Sequence, residues 1–230
     1  MARDRSVRGK PLSRLVPLGS TPRRQRGERT RASILAVAER IFAELGPEGA
    51  RTDVIASAAG VNKALLYYYF RSKDELFQAV LEEHLSEFRR RALEIFNSRS
   101  SVRSKIAAYM ELHFERIAAR PYYPRLVHRL MTSGSKLVEQ LFREYSAPLY
   151  KKLVEIIDEG IQSGELRPVD PHHMVYSLVA LSVFYFSAAP IVKAVSHKDP
   201  FDPANVKLRR QEVMNFIQYG LFRHPEAPSA

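Results

Sequence analysis

Apolar residues recur along this chain at intervals of three and four, the repeat of helices that pack on one side. Ile34, Val37, Ala38, Ile41, Phe42 and Leu45 form the first stripe, and Gly46-Pro47-Glu48-Gly49 stops it, which predicts a helix over roughly 30 to 45. A second short helix, roughly 52 to 58, offers Val54, Ile55, Ala58 and Ala59 to the same core, with Thr52 as a candidate cap. Gly60 then supplies a position where left-handed backbone carries little steric cost. Val61 fills the angle between helices, and Asn62 caps a third helix over 63 to 70. On that helix Leu66 and Phe70 share one face, whereas Lys63, Tyr67 and Arg71 gather on another. One face holds the helix in its domain and leaves the other free.

Ser72 caps a long fourth helix whose Asp74 and Glu75 suit the positive end of the helix dipole, and apolar positions carry it without a breaker to about residue 97. Ile106, Tyr109, Met110, His113, Phe114 and Ile117 mark a helix over about 101 to 119, which Arg120-Pro121 interrupts. A short helix over 122 to 131 precedes a long one running through about 162, in which Pro148 makes a kink or a break. Asp170-Pro171 is a strong helix start, and the helix beyond it, to about residue 189, is unusually apolar. Pro190 bends or ends that helix, residues 196 to 205 form a polar connection, and 206 to 222 return to helix. No run of alternating strands appears, so the predicted fold is all-α with about nine helices.

Charge changes this picture at one end. Ten Arg or Lys face two acids within the first 31 residues, so +8 of the net +11 sits there, among Pro11, Pro17, Pro22, Gly9, Gly19 and Gly27. Such a segment buries little apolar surface, and residues 1 to 29 are read as a disordered basic arm. It suits nonspecific attraction to phosphates or entry into a minor groove; an extension that merely aids solubility is the alternative. With no cysteine, disulfides and thiol ligation are excluded, and a cytoplasmic, reducing setting is compatible. The apolar patch Met174 to Ala189 is short and flanked by histidines, so no membrane partner is expected.

A tight turn before a short, aromatic and basic helix is how a helix-turn-helix reader of duplex DNA is written. Lys63 is a base or phosphate donor; Tyr67 and Tyr69 can donate to phosphates while their rings meet sugars or thymine methyls. Leu65 can touch a thymine methyl. Lys73, Arg51 and Thr52 are placed to fasten the edge of the duplex. Three consecutive tyrosines on one helix cannot all face DNA, and Tyr68 is open between small core and surface. No phosphate loop, dinucleotide turn or clustered metal pattern is present, and adjacent His172 and His173 lack zinc-ligand spacing, so neither enzyme, metal nor cofactor is expected.

The ordered string Ile55-Ala56, Ala59-Gly60-Val61 and Leu66-Tyr67-Tyr68-Tyr69-Phe70-Arg71-Ser72-Lys73-Asp74-Glu75-Leu76, after Phe42-Ala43-Glu44-Leu45-Gly46, resembles the TetR family of one-component transcriptional regulators. That resemblance implies a homodimer whose two heads enter successive major grooves of a palindrome. It places Tyr67, Tyr69 and Lys73 at backbone-contacting positions and Lys63 and Leu65 facing bases. Tyr69 stands where histidine is frequent, and Ala50 and Asp53 depart from the common Thr and Arg. His128, Gly134, Pro148, Gly160, Gly164, Asp170-Pro171-His172, Phe184-Tyr185-Phe186, Pro190 and Asn215 to Gly220 are similar to a branch that includes a regulator of pyrimidine use.

The division implied is a head over 30–76, a ligand-binding and dimerisation half over 77–224 and a flexible tail over 225–230. Within that half, Tyr109, His113, His128 and Tyr176 are the polar groups expected to orient an unidentified small-molecule effector in an apolar cavity. Tyr185, Met214, Phe216 and Leu221 are expected in a helical seam between two copies, with an intrachain core as the alternative for the same residues. The function implied is a ligand-responsive repressor of a palindromic operator. Corepression and activation stay open, and the contrasting reading is a helical small-molecule-binding or scaffold protein with only nonspecific DNA affinity.

Overall fold

A computed structural model describes residues 22–132 and 134–224 of the chain. Ten helices are found among them: α1 Pro22–Gly49, α2 Thr52–Ala58, α3 Lys63–Tyr69, α4 Lys73–Phe96, α5 Val102–Ala119, α6 Tyr123–Thr132, α7 Lys136–Gln162, α8 Pro171–Ser187, α9 Ala189–Ser196 and α10 Pro203–Leu221. The architecture is all-α, as the periodicity predicts. The tenth helix arises at Pro190, where a 66° bend divides the apolar stretch into α8 and α9. No single described helix is long and apolar enough to cross a membrane.

Local signals set most boundaries. Asn62, Ser72, Ser101 and Asp170 each accept a backbone N–H in the first turn of the helix they precede, relieving donors with no partner in the helix. Thr52 is not a cap: Arg51 occupies that position without a side-chain hydrogen bond, and Thr52 is the first helical residue. α7 runs through Pro148 as one helix. α1 starts at Pro22, so residues 22–29, predicted to lie in the disordered arm, are helical, their apolar deficit made up by α1 continuing into a packed stripe. Residues 1–21 of the predicted arm and the 225–230 tail lie outside the described residues. Gly46, with φ of +76°, breaks α1 where the sequence places its end.

Two buried clusters organise the chain. One joins Ile34, Ile41 and Phe42 of α1 to Ile55, Leu66, Phe70 and Leu76, and continues into Val80 and Leu81 of α4, Leu126 and Leu130 of α6, and Val138 and Leu141 of α7. Packing of the head therefore does not stop at residue 76. Helix α6 is clamped to α1 by Arg129, which donates to the carbonyls of Ala43 (2.9 Å) and Glu44 (2.7 Å), in the last turn before the break at Gly46. The other cluster unites α5, the second half of α7, α8 and α10 around Phe96, Ile106, Met110, Ile157 and Phe186. An antiparallel bridge between Leu166 and Phe222 ties the α7–α8 connection to the end of α10. Gly160 permits that approach, since a Cβ there would lie 2.7 Å from the Leu166 side chain.

Candidate nucleic-acid interface

Helix α3 is seven residues long, too short to hold itself in water, and its neighbours fix it. Leu66 and Phe70 are buried in the cluster they share with residues of α1, α2 and α4. The turn before it depends on Gly60 at φ +68°, with Val61 N–H donating to Ala56 O at 3.0 Å. Asn62 Oδ1 then accepts from Leu65 N–H at 2.7 Å. On the far side Ser72 Oγ accepts from Glu75 N–H, and the Glu75 carboxylate accepts from Arg71 N–H, a reciprocal arrangement akin to a capping box. The sequence dictates each of these locks.

Lys63, Leu65, Tyr67 and Tyr68 stand in solvent on the outer face of α3. Tyr67 Oη lies 3.3 Å from Thr52 Oγ1, so α2 and α3 present two hydroxyls together. Lys73 is half-buried, its Nζ 3.5 Å from Glu48 O. Arg51 is exposed but engaged by Asp53 at 2.9 Å, the residue that departs from the family's pattern. Tyr69 is the tyrosine the structure draws inward: it is half-buried against the head core, and a Cβ on Gly27 would lie 3.4 Å from its hydroxyl. Tyr68, left open by the sequence, is 79% exposed and is the ring most available to a duplex. Because Gly27 sits beside α3, the early turns of α1 bring exposed Arg26 and Arg29 to the same region, a contribution hidden while 22–29 is read as disordered.

The carboxy-terminal half divides the predicted ligand residues. Tyr109 and His113 are buried side by side on α5, their rings 4.8 Å apart, with Phe88 of α4 4.7 Å from His113. Neither ring nitrogen of His113 has a hydrogen-bond partner. Burial, and secondarily the Arg116 charge, pull its pKa down to about 3, so the imidazole is neutral. Burial likewise pushes the Tyr109 hydroxyl well above its usual range. His128 and Tyr176 do not join them. His128 is exposed on α6, and Tyr176 is 65% exposed on α8, packed 5.5 Å from Tyr150, because both fall on outward faces of their helices. Arg116, three residues beyond His113, is the polar neighbour that sequence reasoning missed; it donates to His84 O at 2.6 Å and lines a cleft of about 220 Å³ between α4 and α5.

The predicted seam residues also separate. Leu221 is 3% exposed inside the chain's own core, and Met214 and Tyr185 are half-buried against it, Tyr185 beneath the Arg209 guanidinium at 5.0 Å. Only Phe216 of the four projects into solvent. Leu221 lies on the face of α10 that packs into the cluster it shares with α5. Phe184 on α8 and Leu208 and Tyr219 on α10 are exposed instead, and a groove of about 610 Å³ lies between these helices. Their spacing along the two helices was readable; which face was already occupied was not.

This geometry defines a class: an outward-facing helix-turn-helix head on a helical regulatory half. The comparisons agree. Residues 34–80 match the sequence profile of the bacterial regulatory proteins of the tetR family, and residues 103–217 match the Tetracyclin repressor-like C-terminal domain. The chain is 33% identical over 177 residues to the HTH-type transcriptional regulator RutR of Escherichia coli (strain K12), covering 74% of this chain and 82% of that protein. Two solved structures share the fold. The ketosteroid transcriptional regulator KstR2 of Mycobacterium tuberculosis has a TM-score of 0.70 at 19% identity, over 84% of this chain and 95% of that one. AibR, in complex with isovaleryl coenzyme A and operator DNA, has a TM-score of 0.65 at 18% identity, over 81% and 97%. The chain belongs to the TetR family and is a helix-turn-helix transcriptional regulator.

Proposed function

We propose that the protein is a homodimeric repressor whose paired heads grip successive major grooves of a palindrome, and whose operator affinity falls when a small effector enters the regulatory half. The observation that carries this is the outward face of α3, where Lys63, Tyr67 and Tyr68 stand on a helix locked at both ends. Arg51, Thr52 and Lys73 supply phosphate contacts, Lys63 and Leu65 face the bases, and Tyr69 supports α3 from the head side. Phe184, Leu208, Phe216 and Tyr219 form the seam with a second copy. AibR, solved with both an acyl-coenzyme A and operator DNA, supports a shared ligand and DNA equilibrium in this fold.

Coupling between the halves has a physical route. Buried Glu39 of α1 meets His84 of α4 at 3.2 Å and Arg120, at the end of α5, at 3.2 Å. The Glu39 Oε1 and His84 Nε2 atoms face each other without the alignment of a hydrogen bond. Helix α6 adds a second link, with Arg129 on α1 and Pro124 O accepting from Ser187 of α8 at 3.1 Å. A displacement of α5 or α8 reaches α1 through these contacts, and effector and operator then oppose one another through a single equilibrium.

The test is selection of genomic fragments by the full-length protein, then titration of the recovered palindrome and a scrambled duplex at two salt concentrations. A preference for the palindrome that survives higher salt is expected. Equal affinities with a steep salt slope would instead mark a helical binding or scaffold protein with nonspecific DNA affinity.

A further inference from the structure

Resting on the effector-responsive reading, we infer that the cleft between α4 and α5 admits a small planar ring bearing a carboxylate, anchored by Arg116. The three arginines of this cleft are not equivalent. Arg91 is paired with Glu115 at 2.6 Å, and Arg120 is held by Glu39 at 3.2 Å and Glu83 at 3.7 Å. Arg116 has no carboxylate within ion-pair distance among the described residues; its bond goes to the neutral His84 carbonyl, and its buried Nε has no acceptor. Glu87 on the cleft wall is exposed and stands off at longer range. A guanidinium left half-satisfied in this way suits a planar anionic acceptor.

The surroundings define the rest of the ligand. The Arg116 guanidinium lies 4.1 Å from the Tyr123 ring centroid and 5.1 Å from that of Phe88, which fixes its plane. Phe88 lines the cleft and also packs on His113, so it separates the open space from a neutral imidazole whose two nitrogens, one donor and one acceptor, are unused. Tyr109, one turn earlier, adds a third ring. A flat ligand stacked on the Phe88 ring within the cleft would present its carboxylate to Arg116, with the His113 imidazole directly behind Phe88. At about 220 Å³ the cleft is smaller than pockets for drug-sized molecules, which points to a single ring.

The full-length protein is titrated calorimetrically with benzoate, nicotinate and 2-furoate, each beside its carboxamide. At least one acid is expected to bind ten-fold or more tightly than its amide, and Arg116→Gln to abolish that difference while leaving the helical circular dichroism intact. Should Arg116→Gln unfold, Ala119→Phe, which fills the exposed mouth of the cleft without touching the core, is expected to block the same acid. No acid preferred over its amide, or a preference that survives in the folded Arg116→Gln protein or in Ala119→Phe, overturns the inference. Operator binding is measured on the same samples: selective DNA binding without acid preference sinks this inference alone, whereas acid preference without selective DNA binding sinks the regulator reading alone.

Discussion

Replacing His113 with leucine should stabilise the protein, and by more in mild acid than at neutrality. At pH 7 the wild-type imidazole is buried with both nitrogens unpartnered, a burden of about 1–3 kcal/mol for an unsatisfied polar group, which a leucine of similar volume does not carry. Acid adds a second term. The folded-state pKa of about 3 lies below the ordinary 6.5, so between those values the unfolded chain binds a proton that the native one refuses. Stability from this group is complete above pH 6.5 and is lost as pH falls, by about 1.4 kcal/mol per pH unit until the folded pKa is reached. From pH 7 to pH 5 the wild type should therefore lose about 2 kcal/mol that His113→Leu retains. Urea unfolding followed by circular dichroism at both pH values measures this as a difference of differences. Parallel losses in the two proteins would show that His113 is not a buried neutral group, and the reasoning about the α4–α5 interior would fail with it.

Other consequences follow from the same contacts. Burial by itself would raise the Glu39 pKa, but His84 and Arg120 outweigh it and hold the carboxyl below its ordinary 4.5, so this contribution is complete above pH 4.5 and is lost as pH falls below it, starting lower than the loss from His113 and overlapping its acid end. Glu39→Gln should cost about 3 kcal/mol in chemical unfolding, the low end for breaking a buried pair, because Arg120 still reaches water; a midpoint unchanged within error would remove Glu39 as the tie between head and regulatory half. Gly60→Ala should cost about 1 kcal/mol from the left-handed backbone alone, since nothing lies within 4 Å of the added Cβ, and should weaken operator binding in gel-shift titrations. Lys73→Ala should reduce the slope of log affinity against log salt by about 1, as the loss of one phosphate contact does, while Tyr68→Ala weakens binding without changing that slope. Phe184→Glu combined with Phe216→Glu should yield a monomer in sedimentation velocity with unaltered helicity; a dimer of wild-type strength would place the seam elsewhere.

The reading head was legible because its instructions are local. Asn62, Ser72 and Asp170 cap the helices they precede, since a short polar side chain reaches only the amides two or three residues on. Gly60 turns the chain because its own φ requires it, and Leu66 and Phe70 are buried because four-residue spacing puts them on one face. What local signals left undecided depended on residues far away in sequence. Tyr69 rather than Tyr68 turns inward because α1 extends back to Gly27 and closes that side. His128 and Tyr176 miss the interior, and Leu221 is consumed by the chain's own core, because periodicity gives a helix its faces without naming the partner of each.

By itself, then, the amino-acid order determined an all-α chain, the position of its turn and caps, and the basic aromatic surface of its third helix, all products of backbone sterics and of hydrogen bonds spanning a few residues. Tertiary structure alone decided that Arg129 of α6 would close the end of α1, that Glu39 would meet His84 and Arg120, and that Arg116 would lie half-satisfied beside a hidden imidazole. The Arg129, Glu39 and Arg116–His84 contacts join residues 32 to 86 positions apart, and only the burial of the two apolar clusters brings them within reach.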